Sequence, residues 1–411
     1  MTAIAYDYPE DVRMLLDAVG NFLKTKIFPL HQKHERLLSD QRLLYERDGR
    51  FAPDVLRLIH DVRVASAQEG FYAMCAPQHM GGGGFPLVAY FAVWEQIFRM
   101  CGMKYWLGHH VLSHWAKGPS AVLDNLHPDA KAILLPDIMS GKATLCFGLS
   151  EPEAGSDAAM IKTRATPDRD GWRLNGNKIW TTNSPHADYA VIFAVTDPER
   201  AERRAGGIST FIVPTASTGF NIEKVIRMWG SPGGDEAMLH FDNVRLEPMH
   251  LVGSLHSGFR TAMLGVNLGR IYNSARVVGI GRWALEMAFE YAKVRRTFGR
   301  PLSEYQGVMF PLAESAMQVH AAHLMSLNVA QLIDRGATAQ KELSMTKAFA
   351  VEAGVKAVDR VIQLHGAIGM TNEMHLTDAY ITMRKINVAD GTNEILRRQI
   401  VKQMLAGDLA L

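Results

Sequence analysis

Cysteine is scarce: the 411 residues hold three, Cys75, Cys101 and Cys146, and no two of them stand in CxxC spacing. Three thiols cannot all pair, so a disulfide framework is excluded and a reducing compartment, the cytoplasm, is the expected location. No run of eighteen apolar residues occurs, which excludes a membrane-spanning helix by length. A bias of charge is also missing. The net charge is +2, and nucleic-acid binding calls for a clustered basic surface. The opening stretch, residues 1–11, lacks the basic and apolar runs of a signal peptide and is too acidic for a transit peptide. A complete metal-ligand motif is missing as well. His110 and His114 stand one helical turn apart, but Val111 occupies the place of the glutamate in a zinc-protease motif and no third ligand follows. No metal is expected, and these histidines, with His109, are expected to line a pocket or a helical interface.

What is present suits a globular protein of two or three domains: 47% hydrophobic and 21% charged residues. Twenty-one methionines suit adaptable packing, with or without a bulky ligand. Residues 8–35 read as a helix, with Val12, Leu15, Leu16, Val19, Phe22 and Leu23 on one stripe. Helical patterns recur at 53–68 and 86–100, and the four glycines 81–84 between them read as a flexible connection. After Lys142 the period falls from 3.6 to 2. Residues 172–180 read as two strands joined at Asn175-Gly176, a type I′ hairpin signal, and further strands follow at 189–195, 208–213, 220–225 and 237–246. At least six strands with tight turns predict a small barrel or sandwich. Helices resume from Phe259 to the end, giving an α+β chain in three blocks: 1–140 helical, 141–250 β, 251–411 helical. Gly279-x-Gly281-x-x-Ala284 matches a dinucleotide fingerprint, but it lies inside a helical pattern with no preceding strand. Close helix–helix approach explains its glycines better.

Three stretches carry chemistry. Phe147-Gly-Leu-Ser-Glu-Pro-Glu-Ala-Gly-Ser-Asp157 leads an apolar run into a loop able to offer N–H groups and hydroxyls to a polar ring edge or a diphosphate. Lys178-Ile-Trp-Thr-Thr-Asn183 adds a flat aromatic surface beside two hydroxyls. Near the end, Asp390-Gly-Thr-Asn-Glu394 reads on its own as a turn followed by a helix cap, with Glu394 favouring the helix N-terminus. Arg295-Arg-Thr-Phe-Gly-Arg-Pro301 with Gln306, and Gln363-Leu-His-Gly-Ala-Ile-Gly369, complete the set.

Taken together and in this order, these motifs resemble the acyl-CoA dehydrogenase family over essentially the whole chain. The resemblance implies two helical domains around a β-barrel or sandwich domain, with a four-helix bundle at the C-terminus. It also implies FAD held without a covalent bond, an acyl-CoA substrate, an electron-transfer flavoprotein as electron acceptor, and a homotetramer built as a dimer of dimers. By similarity, Phe147, Leu149, Ser150 and Ser156 run along the flavin, with Ser150 and Thr182 near N5, Trp180 on the ring and Thr181 beside it. Arg295, Thr297, Phe298 and Gln306 are implied to reach the FAD of a neighbouring subunit, completed by Gln363, Gly366, Ala367, Thr392 and Glu394. Arginine has the planar fork that phosphate recognition uses. Ser156, Asn267, Arg270, Gly391 and Lys402 are implied as thioester, pantetheine and nucleotide contacts.

Three positions depart from the common family pattern: Asn267 where Asp is frequent, Lys402 where Arg is frequent, and Asp390 where the catalytic base is usually Glu. Asp is a competent base, shorter by one methylene or ~1.5 Å, and desolvation beside a flavin should raise its pKa above ~3.9. The implied reaction is α,β-dehydrogenation of an acyl-CoA thioester. A nitroalkane-oxidase-like oxidase of a small non-CoA substrate, or a non-catalytic flavin-bearing scaffold, are the alternatives.

Overall fold

A computed structural model describes residues 6–410; residues 1–5, part of the stretch read for targeting signals, and residue 411 lie outside the described residues. The chain forms two compact units that interleave in sequence. One comprises Met1–Lys33, Phe85–His109 and Arg270–Leu411, the other His34–Gly84 and His110–Gly269. The dividing point between Gly269 and Arg270 falls inside the long helix Gly258–Val294.

The first unit is helical. Its opening helix, Glu10–Phe22, buries Val12, Leu15, Val19 and Phe22, one stripe at the 3.6 period. It continues through a π-helical turn, Leu23–Ile27, into Phe28–Lys33, so the helix read at 8–35 exists with one irregular turn. Leu87–Cys101 is buried on nearly every side. Its first two N–H groups, of Leu87 and Val88, donate to the Asp334 carboxylate at 2.8 and 2.9 Å, which satisfies helix donors that would otherwise be orphaned. The remaining bundle consists of the part of Gly258–Val294 from Arg270 onward, with Gln306–Asp334, Gln340–His365, Leu376–Ile386 and Asn393–Leu405. Gly279 sits where a Cβ would meet the Glu95 carbonyl oxygen at 2.5 Å and Phe98 Cβ at 2.7 Å. That glycine lets two helices touch through backbone, as the sequence suggested.

The second unit is organised around one eight-stranded sheet. The strands are β1 (Leu145–Gly148), β2 (Arg164–Asp168), β3 (Gly171–Thr182), β4 (Tyr189–Val195), β5 (Ile208–Pro214), β6 (Phe220–Val225), β7 (Glu236–Leu246) and β8 (Leu251–Val252). They run in the order β6-β7-β3-β2-β4-β5-β8, with β1 parallel to β4. Strand β4 is buried on both faces, which is why it reads as an unbroken apolar run. Val191, Phe193 and Val195 join one core with Leu134, Leu135 and Ile138 of the helix Pro128–Met139. Ala190, Ile192 and Ala194 enter a second core with Leu174, Phe211, Leu239 and Phe241, drawn from β3, β5 and β7.

Two stretches fold differently from what their sequence predicts. Asn175-Gly176 is not a hairpin turn: β3 passes straight through it, and the turn into β3 is Arg169-Asp170, with Arg169 at φ 55°. The Asn175 amide instead pairs with Asn243, accepting its N–H at 2.8 Å, and Gly176 lies at a bulge where a Cβ would meet Thr163 Cα at 2.6 Å. The glycine run 81–84 is not a loose tether either. Gly82, Gly83 and Gly84 donate to the carbonyls of Pro77, Ala73 and Ala76 at 3.1, 3.2 and 2.9 Å, a turn folded tightly on itself.

Candidate active site

In the second unit, β1 delivers Phe147 between Trp115 and Phe193, each with ring centroids 4.8 Å away. Gly265 lies behind them: a Cβ there would meet the Trp115 ring at 2.5 Å and Phe147 at 3.2 Å. The loop after β1 is fastened from below. Lys178, fully buried on β3, donates to the Leu149 carbonyl at 3.0 Å and to Glu151 Oε1 at 2.7 Å. Glu151 in turn accepts the N–H groups of Lys162 and Thr163 at 2.5 and 3.0 Å. Burial pulls the Lys178 pKa down to about 8, and the adjacent Glu151 carboxylate opposes that shift.

Two residues further along, β3 bulges against β7 between Lys178 and Thr181. Trp180 takes a left-handed backbone, φ 60°, and its indole is 53% exposed. A bulge is the usual way to re-aim a side chain at a sheet rim. Here it turns a large flat ring into solvent, beside half-buried Thr182 and the buried Thr181 hydroxyl, which has no protein partner. Ser150 is half-buried and Ser156 exposed, and Gly155 faces open space. An orphaned hydroxyl, an exposed indole and a fastened Ser-bearing loop fit a flavin ring.

In the first unit, the turn before the last helix carries Asp390 at φ 52° and Gly391 at φ 90°. Asp is among the few residues that enter this region without severe cost. Thr392 then caps the helix, its hydroxyl accepting the Ile395 N–H at 3.3 Å. The turn is held from two neighbouring helices. Arg270 Nε donates to the Asp390 carbonyl at 3.2 Å, and Lys347 Nζ donates to the Gly391 carbonyl at 2.9 Å and to Asn393 Oδ1 at 3.3 Å. The carboxylate accepts a hydrogen bond from Asn273 Nδ2 at 2.7 Å on Oδ2. Burial raises the Asp390 pKa to about 6, against the opposing pull of Lys347, Arg270 and the Asn273 bond. Burial also lowers Lys347 to about 8.

Beside this turn, Thr392, Asn393 and Glu394 join Lys356, Tyr380 and Arg384 around a cleft of about 360 Å³. Arg295 introduces a tight hairpin in which Arg296–Thr297 pairs with Arg300–Pro301 across Phe298-Gly299, both turn residues at positive φ. Arg295, Phe298 and Gln306 are exposed, and Thr297 accepts the Tyr305 hydroxyl at 2.6 Å. Gln363, Gly366 and Ala367 are exposed at the end of Gln340–His365, and Lys402 is exposed near the end of the final helix. Asn267 is half-buried in the long helix. His110 and His114 do not share a helix, since the 3₁₀ turn Trp106–His110 ends between them, and no metal-ligand cluster exists among the described residues.

Family models for the acyl-CoA dehydrogenase N-terminal, middle and C-terminal domains match residues 9–142, 146–244 and 256–405. An acyl-CoA dehydrogenase of Bacillus subtilis is 36% identical over 344 residues, 83% of this chain and 88% of the relative. The chain belongs to the acyl-CoA dehydrogenase family. As a member it is an oxidoreductase with FAD as cofactor. The human mitochondrial short-chain specific acyl-CoA dehydrogenase is 32% identical over 399 residues, 97% of this chain and 91% of that one. Butyryl-CoA dehydrogenase from Megasphaera elsdenii shares the fold, with a TM-score of 0.83 at 24% identity over 98% of this chain and 100% of its own. No helix among the described residues is long and apolar enough to cross a membrane.

Sequence reasoning missed Asn273, Lys347 and the Lys178–Glu151 pair. Each had a signal. Lys347 and Lys178 are cations on otherwise buried faces, and Asn273 follows Arg270 by three residues, on the same side of one helix.

Proposed function

We propose that this enzyme oxidises an acyl-CoA thioester to the 2-enoyl-CoA, with Asp390 as the base that takes the α-proton. The observation that carries this reading is the Asp390 carboxylate itself. It is half-buried, fixed by a hydrogen bond, and shifted to about 6, where it is largely ionised at neutral pH yet still basic. Asp390 accepts the proton from Cα, and the electron pair left behind forms the Cα–Cβ double bond as a hydride leaves Cβ. FAD, when bound, supplies the acceptor for that hydride at N5. The Gly391 N–H is assigned to the thioester oxygen, where negative charge develops. Ser156, Asn267 and Lys402 are assigned to the remainder of the CoA. Arg270 is buried and tied to the Asp390 carbonyl, which suits it to holding the turn as well as meeting the thioester end.

For the cofactor, Phe147, Leu149, Ser150, Ser156, Trp180, Thr181 and Thr182 are assigned to the flavin ring. Arg295, Thr297, Phe298, Gln306, Gln363, Gly366, Ala367, Thr392 and Glu394 are assigned to the diphosphate and adenosine. The hairpin that carries Arg295 ends in Phe298, 95% exposed, with Val294, Met309 and Phe310 also exposed nearby in sequence. Apolar surface of that kind marks an interaction site. It supports assembly into a homotetramer in which the hairpin meets a neighbouring subunit's FAD. An electron-transfer flavoprotein is the proposed acceptor. Anaerobic titration of the purified holoenzyme with a panel of acyl-CoAs tests the reading: flavin bleaching by at least one is expected, and none by any would overturn it.

A further inference from the structure

The Asp390 turn contains a feature that the choice of base does not explain. Two cations flank it, Lys347 from Gln340–His365 and Arg270 from Gly258–Val294, and both bind backbone carbonyls of the turn, those of Gly391 and Asp390. The carboxylate oxygen Oδ2 is met by a neutral amide, Asn273 Nδ2, at 2.7 Å. Asn273 is 5% exposed, one helical turn beyond Arg270, and reaches Asp390 across 117 residues of sequence.

We propose that Asn273 is a positioning residue for the base: its amide occupies Oδ2 of Asp390, fixes the carboxylate rotamer, and leaves Oδ1 as the oxygen that takes the α-proton. This rests on the reading of Asp390 as the base. The chemistry favours an amide in this role. An amide N–H donates to Oδ2 while the group is a carboxylate. Once Oδ1 holds the proton, Oδ2 is a carbonyl oxygen and accepts the same bond. The contact therefore survives proton transfer, and nothing has to reorganise at the step. A cation at the same place would stabilise the ionised form far more than the acid and weaken the base. With a short side chain, one fixed oxygen also sets where the other points, and an error of about 1 Å in a reacting atom can cost 10²-fold.

The charged groups around Asp390 are Lys347 and Arg270 on the two packed helices, with Glu394 on its own segment bearing on Lys347. All remain in an Asn273 variant, so a change in titration is attributable to the amide. The test uses holoenzyme of Asn273→Leu, which keeps the side-chain size and removes the donor, with Asn273→Ala as the second variant should Leu not fold. Two quantities are read: the pH profile of anaerobic flavin reduction, and the infrared titration of the Asp390 carboxyl, isolated by subtracting an Asp390→Asn spectrum. Loss of a hydrogen bond to a charged acceptor should move both transitions up by about one pH unit. It should also lower the limiting reduction rate at least tenfold, with substrate binding unchanged. If both transitions stay in place and the limiting rate is kept, Asn273 is a core residue only and the inference is wrong. Failure of the underlying reading looks different: Asp390→Asn would itself reduce flavin at the wild-type rate, whatever Asn273 does.

Discussion

At Asp390 two demands meet in one side chain. The backbone is left-handed, φ 52°, which Asp and Asn tolerate and which costs most other residues about 1–2 kcal/mol. The carboxylate is also held above its ordinary pKa, at about 6 against 3.8. A group whose folded pKa is raised favours the fold when protonated, so its contribution is full below pH 4 and is lost as pH rises through 6. Asp390→Asn keeps the backbone and removes the charge. It should therefore raise stability by roughly 2–3 kcal/mol at pH 7.5 and by little at pH 4, measured as unfolding free energy at the two pH values. An equal effect at both would mean that the carboxylate is not destabilised by its site. Asp390→Glu should lower stability through the strained backbone while keeping part of the activity. The acidic residue and its turn were legible in the sequence because Asp-Gly is a local signal. The pairing of Asn273 was not, since its partner lies 117 residues away and the three-residue spacing from Arg270 marks a shared helix side without naming what that side faces.

Among the elements, helices were read well where one face is apolar, and the buried strand β4 was clear as an apolar run. A polar side chain that makes a long-range contact leaves no such local pattern. Asn175-Gly176 resembles a turn in isolation, yet Asn243 on β7 claims the amide and the bulge claims the glycine. Gly279 shows the opposite case, a weak cofactor motif that the helical period correctly reassigned to packing. Gly279→Ala should destabilise by about 1–3 kcal/mol, because its Cβ meets backbone at 2.5 Å and overpacking forces a helix to move. An unchanged denaturation midpoint would show that the helices can part freely. Beneath the loop proposed for the flavin, Lys178→Met leaves the buried Glu151 carboxylate without its counter-charge, hydrogen-bonded only by the N–H groups of Lys162 and Thr163; breaking a buried pair in this way typically costs about 3–5 kcal/mol. Thermal unfolding and FAD content should fall together in that variant; retention of both would mean that the loop holds itself.

For the whole molecule, the helical–β–helical order was evident from the change of period, whereas the interleaving of segments into two units was not, because no local pattern records which helix a distant segment joins. Assembly is the open consequence of the exposed hairpin. Phe298→Asp should shift the protein toward smaller species in sedimentation analysis and increase FAD loss on dilution, while a tetramer with normal FAD retention would remove the hairpin from the interface. The proposed reaction turns on a single carboxylate. Stopped-flow flavin reduction under anaerobic conditions, with Asp390→Asn against wild type and the best acyl-CoA of the panel, tests it most directly. A general base contributes about 10²–10⁴-fold, so reduction should slow by at least that factor with FAD content intact. Reduction at the wild-type rate would mean that Asp390 only turns the chain and that another group takes the proton.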